Sequence, residues 1–170
     1  MGVYLNPGNS GFSGIRNDVY VDKSGLIELI NQSINTPRRL TCVSSPRRFG
    51  KSFAAKMLCA YYDKTCDSAP LFHDLRIAQA PSYPVHRNKY DVIYLDIAGI
   101  IGETSMTDIV PFIKRNLTRE LATAYPDLEI TESFLSTLLR TVELTGNKFI
   151  MIIDEWDALF REAKNQFPIQ

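Results

Sequence analysis

The chain has 170 residues, 45% of them apolar, and its 19 Lys and Arg balance 19 Asp and Glu. That length suits one domain with a sizeable core, and the balanced charge supplies no overall field toward nucleic acid or an acidic membrane. No apolar run reaches bilayer-spanning length, and the opening "MGVYLNPGNSGFSG" lacks the charged-then-apolar build of a signal peptide. Asn6 stands where a myristoylation signal wants Ser or Thr, so the expectation is a cytoplasmic protein with no membrane partner. Three cysteines, Cys42, Cys59 and Cys66, have no C-x-x-C spacing, and their odd number fits a reducing compartment. Cys42 and Cys59 read as small core residues, and His73 and His86 as surface or loop residues.

Residues 1–38 read as a lead-in segment with one helix, and 39–170 as the core of the domain. The turn-rich "NPGNSGFSGIRND" is followed by a short extended piece and a helix, with Ser24 placed to cap it and Leu26, Ile27, Ile30 and Ile34 forming its stripe. Pro37 ends that helix, and about Leu40 to Ser44 reads as the first core strand. Beyond it Phe53, Met57, Leu58 and Tyr61 recur at helical spacing. From Asp67 to Tyr90 the periodicity disappears and Pro70, Pro81 and Pro84 accumulate, which predicts a long connection with one short helix. "DVIYLDIAG" reads as a buried strand ending at Gly99. A helix is expected over Ser105 to Tyr125, beginning near Thr107 or Asp108 because Pro111 is free only in a first turn. Another is expected around Thr131 to Leu144, with Phe134, Leu138, Leu139 and Val142 on one side and a stop at Gly146. "KFIMIIDEWDALF" then gives a buried strand and the start of a helix. Alternating strands and helices predict an α/β domain with a mostly parallel sheet.

Two stretches carry chemistry. In "CVSSPRRFGKSFAAKML", Gly-Lys-Ser lies where a strand is expected to meet a helix, so that loop amides and the helix N-terminus can converge on phosphate oxygens. Lys51 would reach the β- and γ-phosphates and the Ser52 hydroxyl would ligate Mg²⁺. The second stretch, "FIMIIDE", ends in two adjacent carboxylates at the mouth of a strand, the position where open α/β sheets bind ligands. There Asp154 is placed for the Mg²⁺ shell and Glu155 for orienting or deprotonating an attacking water. The competing reading has Asp154 as a helix cap; the pair of motifs in this order favours the site. The phosphate cradle is assigned to Pro46, Arg47, Arg48, Phe49, Gly50, Lys51, Ser52 and Phe53, with one of the two arginines free to point to solvent. Asp96 reads as a turn or cap residue ahead of a metal ligand, Asp157 as a first-turn helix charge, and Trp156 and Phe49 as packing residues ahead of adenine platforms.

"YVDKSGLIELI", "SSPRRFGKSFAAKML", "VIYLDIAG" and "MIIDEWDALF", in this order, resemble the AAA-ATPase-like family of bacterial proteins over nearly the whole chain. In that family the loop typically reads Arg-Pro-Arg-Arg-Phe-Gly-Lys-Ser without the first glycine of the common phosphate-loop pattern; the departure here is Ser45 in place of Arg. The resemblance implies a P-loop NTPase three-layer sandwich that binds ATP and Mg²⁺. It carries phosphate binding onto Gly50, Lys51 and Ser52, and metal and water handling onto Asp154 and Glu155. Lys51 and Glu155 become the catalytic pair. Members usually carry a nuclease-like domain of the PD-(D/E)XK type after the ATPase domain, which makes such a domain, or a partner chain, a candidate partner; oligomers are also common among AAA-type proteins.

Related P-loop domains place a later strand between the loop strand and the Asp-Glu strand, with a polar sensor, a helical lid and an arginine finger beyond it. The expectation is therefore a fold incomplete at its C-terminal side, with a gap between Leu40–Ser44 and Phe149–Ile153. ATP binding with Mg²⁺-dependent hydrolysis is the leading function, weak in this chain. The alternative is a nucleotide-responsive module without useful hydrolysis that acts on a fused or partner effector. Direct nucleic-acid binding has only the local cluster from Pro37 to Arg39, with Arg47 and Arg48, in its favour.

Overall fold

A computed structural model of the chain describes residues 2–44, 46 and 48–166, and the side chains through Glu162 apart from those of 45 and 47. Ser45 and Arg47 therefore lie outside the described residues. After an N-terminal stretch come α1 (Ser10–Arg16), α2 (Gly25–Asn31) and α3 (Lys51–Tyr62). The long connection holds three short helical pieces where one is expected: α4 (Ala69–Phe72), a 3₁₀ turn (Arg76–Gln79) and α5 (Tyr83–His86). Pro70 and Pro84 sit in the first turns of α4 and α5, where a missing N–H costs nothing, so the prolines that erased the periodicity are helix starters here.

β1 (Asp91–Asp96) stops three residues before Gly99, because Asp96 leaves the strand and accepts a hydrogen bond from the Gly99 amide at 3.1 Å, opening α6 (Ile97–Glu103). The cap role read for Asp96 is thus the observed one. α7 (Ile109–Ala124) follows a 3₁₀ turn at Met106–Asp108 and carries Pro111 in its first turn. α8 (Phe134–Thr145) is capped by Ser133 and ended by Gly146, whose φ of +67° is the left-handed conformation glycine adopts without strain. β2 (Phe149–Asp154) and α9 (Ala158–Gln166) complete the described chain.

β1 and β2 pair in parallel, in register from Asp91 beside Phe149 to Asp96 beside Asp154. The two faces of this small sheet feed separate cores. Val92 and Ile152 join Phe12, Met57, Tyr61 and Phe72 on one face. Ile93 and Leu95 join Ile97, Ile109, Leu117 and Leu121 on the other. The α/β class is as expected, but the sheet has two strands among the described residues, so the wider sheet of a full P-loop sandwich is not formed by them.

The strand expected over Leu40–Ser44 forms no ladder. Its residues are exposed, Leu40 at 92%, and they pair with no strand among the described residues. Cys42 is accordingly exposed and not a core residue, whereas Cys59 is buried in α3. Between this segment and β2 lies a cleft of about 1460 Å³. β2 itself is only partly covered: Met151 and Ile153 are about half exposed on the cleft side. Ser24 sits just before α2 without capping it; its hydroxyl accepts from the Ile77 amide at 3.1 Å and so ties α2 to the 3₁₀ turn. Phe53 and Leu139, expected on buried stripes, are both more than half exposed.

Candidate functional site

The loop before α3 turns on two residues in left-handed backbone, Arg48 (φ 68°) and Gly50 (φ 76°). Gly50 is the residue that precedes the first helical turn, and its carbonyl accepts the Ala54 amide at 3.0 Å. A side chain there would be strained by the backbone and would meet the Lys23 ammonium at 3.0 Å. Lys23 donates to the Phe49 carbonyl and so ties the loop to the segment before α2. The helix that follows is held from below: Met57, Ala60, Tyr61 and Tyr62 are fully buried. The N-terminus of α3 is thereby fixed against the core while its first turn stays half exposed.

At the mouth of β2, Asp154 is buried at 7% exposure. Its Oδ1 accepts the Glu155 amide at 3.0 Å, and its Oδ2 lies 3.5 Å from the Tyr94 hydroxyl. Burial, and next the Asp154 charge, push the Tyr94 phenol up from its ordinary value, so Tyr94 stays a neutral neighbour of that carboxylate. Asp154 does not cap α9, which begins at Ala158, so the cap reading fails on geometry. Glu155 adopts φ 51°, an uncommon backbone for a non-glycine residue. Its carboxylate pairs with Arg161 at 2.9 Å, and Arg161 also reaches Asp157, one turn before it, at 2.5 Å. The carboxylate bonds raise the Arg161 guanidinium further above its ordinary value, with the Glu155 bond the largest cause.

Lys51, Asp154 and Glu155 line the same cleft, so the two motifs, about a hundred positions apart in the sequence, border one cavity. The remaining loop residues do not all face it. Arg48, Phe49, Gly50 and Phe53 line a second, smaller cavity on another side of the loop. Pro46 is exposed and borders neither cavity, and Ser52 is half-buried without lining the cleft. Trp156 and Phe49 are 54% and 61% exposed, too open for the packing role read from the sequence; Trp156 meets Phe160 edge to face. Sequence reasoning missed Lys23, Tyr94 and Arg161. Only Arg161 carried a local signal, the i,i+4 spacing from Asp157.

The profile of a protein family described as predicted AAA-ATPase matches residues 8–167. The chain belongs to the AAA-ATPase-like family. Membership in this nucleotide-binding family spans both motifs and every helix and strand described above. No curated protein and no solved structure matches the chain. No helix among the described residues of this AAA-ATPase-like chain is long and apolar enough to cross a membrane. Nor does any group of three or more His, Cys, Asp or Glu among those residues form a ready-made metal cage.

Proposed function

We propose that the chain binds ATP with its phosphates against the loop at Gly50–Ser52 and hydrolyses it with Mg²⁺. The observation that supports this most is the convergence of Lys51, Asp154 and Glu155 on one cleft. Lys51 at the start of α3 supplies positive charge to the β- and γ-phosphates, and the helix N-terminus adds its own partial charge. Glu155 orients or deprotonates the attacking water. The donor set suits Mg²⁺: nucleotide-bound Mg²⁺ takes one or two carboxylates and the substrate's phosphate oxygens in place of an all-protein cage. Asp154 would hold the ion from the cleft, and the half-buried Ser52 hydroxyl, which does not line the cleft, would join it only by turning toward it. When bound, Mg²⁺ neutralises charge developing on the phosphoryl oxygens.

A second reading, a nucleotide-responsive module with little hydrolysis of its own acting on a nuclease-like or other effector, draws on one specific contact. The Glu155–Arg161 ion pair at 2.9 Å occupies the carboxylate that must handle water. Steady-state hydrolysis and ATP binding of Glu155→Gln and Arg161→Ala separate the two readings. Under the hydrolase reading, Glu155→Gln loses about 10² to 10⁴ in turnover while binding ATP as before, and Arg161→Ala, by releasing the base, raises turnover several-fold. Turnover that is low and unmoved by either change supports the module instead.

A further inference from the structure

We infer that Lys23 is a positioning residue of the phosphate loop, whose ammonium holds the Phe49–Gly50 peptide with the Gly50 amide turned to the phosphates; this rests on the phosphate assignment made above. The Lys23 ammonium donates to the Phe49 carbonyl from the side of the loop that borders the second cavity. In a planar trans peptide the carbonyl and the following N–H point in opposite directions. Fixing the Phe49 carbonyl toward Lys23 therefore aims the Gly50 N–H away from it, into the turn that leads to Lys51. Successive amides turned inward in this way form the concave nest that takes an anion.

This peptide needs holding because of the residue that follows it. Gly50 stands at φ 76°, and glycine takes the opposite hand of backbone as readily, so the peptide can turn over at little local cost. Turned over, it would present its carbonyl oxygen, the negative end of its dipole, where the amide had been. The neighbouring bond within the loop, from the Phe49 amide to the Pro46 carbonyl, is long at 3.4 Å. Lys23 itself stands on a fixed base. Its carbonyl accepts the Leu26 amide at 3.0 Å in the turn that opens α2, and its amide donates to the Tyr20 hydroxyl at 3.3 Å. The Asp22 carboxylate before it accepts the amides of Ser24 at 2.7 Å and Arg76 at 2.8 Å. The Ser24 hydroxyl after it accepts the amide of Ile77, which is fully buried in the core. The loop is thus ordered from outside, through the start of α2 and the 3₁₀ turn, and Lys23 acts without touching the nucleotide.

The test compares wild type, Lys23→Met and Lys23→Arg by calorimetric titration with ATP and with inorganic tripolyphosphate, each with Mg²⁺, and by the amide NMR spectrum of the unliganded protein. Lys23 is exposed, so the fold is retained, and amide signals away from the loop check that. Lys23→Met should move the Gly50 amide signal before any ligand is added. It should also lose about tenfold in affinity for ATP and tripolyphosphate alike, the scale of one hydrogen bond from a charged donor. Lys23→Arg, which keeps a charged donor, should restore both. Unchanged affinity in Lys23→Met overturns the role and leaves the phosphate assignment standing. A loss of affinity with the unliganded Gly50 signal unmoved also overturns it, because Lys23 would then act as a charge on the phosphates themselves. If wild type binds neither ligand, the phosphate assignment fails and the role of Lys23 with it.

Discussion

The two edges of the small sheet are built in opposite ways. On the outer side of β1 the N-terminal stretch closes the edge. The Asn6 amide donates to the Val92 carbonyl and the Asn6 side chain accepts the Val92 amide, each at 2.7 Å, while the Tyr94 amide donates to the Tyr4 carbonyl at 2.8 Å. Glu120 of α7 then accepts the amides of Val3, Tyr4 and Leu5. At the foot of the strand Asp91 is fully buried, yet it receives Asn6 at 2.7 Å, Tyr125 at 2.6 Å and Lys64 at 2.8 Å. On the outer side of β2 the described residues supply no such closure: Met151, Ile153, Leu40 and Val43 stand exposed along the cleft. The closed edge spends buried polar groups on fixing the sheet, and the open edge leaves apolar surface beside the carboxylates and Lys51. Buried polar contacts are concentrated on one side and the proposed chemistry lies along the other.

Substitutions on the two edges should therefore differ sharply in cost. Asp91→Ala leaves Lys64 without its partner and strands the Asn6 and Tyr125 donors; an unfolding titration in urea should show a loss of about 3–5 kcal/mol, as for one broken partner of a buried ion pair. A loss below about 1 kcal/mol would mean that this network does not anchor the sheet.

Acid sensitivity gives an intermediate effect. Burial tends to raise the Asp22 carboxyl, but amide donation from Arg76 and from Ser24 outweighs it and holds the group below its ordinary value of 3.8. Its contribution is therefore present above the unfolded value and is lost as pH falls through the folded one. Between pH 5 and about pH 3 the urea midpoint of wild type should fall more than that of Asp22→Asn, modestly, because the side chain is exposed. Equal slopes would show that the Asp22 contacts do not couple to folding.

The smallest effect is expected on the open edge. Leu40→Ser removes an apolar group that is already largely in water and should change stability by under about 0.5 kcal/mol, while Met151→Ser, at a half-exposed position, should cost about 1 kcal/mol. A loss of 2 kcal/mol or more, the scale of a buried side chain, would reveal that the cleft is covered in solution.

What the sequence disclosed divides along the same line. Local rules were readable: Gly146 ends α8, Pro111 sits in the first turn of α7, and the apolar run before Asp154 forms a strand. The Leu40–Ser44 run has the residue types of a strand, but a strand exists only by pairing, and none of the described residues pairs with it. The anchoring contacts escaped notice because they are not local. Asn6 meets Asp91 across 85 positions, and Ser24 meets Ile77 across 53. At the site, the Gly-Lys-Ser and Asp-Glu motifs were legible as chemistry and their meeting in the cleft as an expectation from order. The division of the loop residues between two cavities was not, because it depends on the turn that Arg48 and Gly50 make through positive φ.

ATP phosphates are proposed to sit at the start of α3. Calorimetric titration of ATP with Mg²⁺ into wild type and Lys51→Ala tests it most directly, since the lysine charge is the chief attraction the protein offers the β- and γ-phosphates. The account predicts saturable binding to wild type and none detectable to Lys51→Ala with the fold intact. Equal ATP affinity in the two proteins would contradict it.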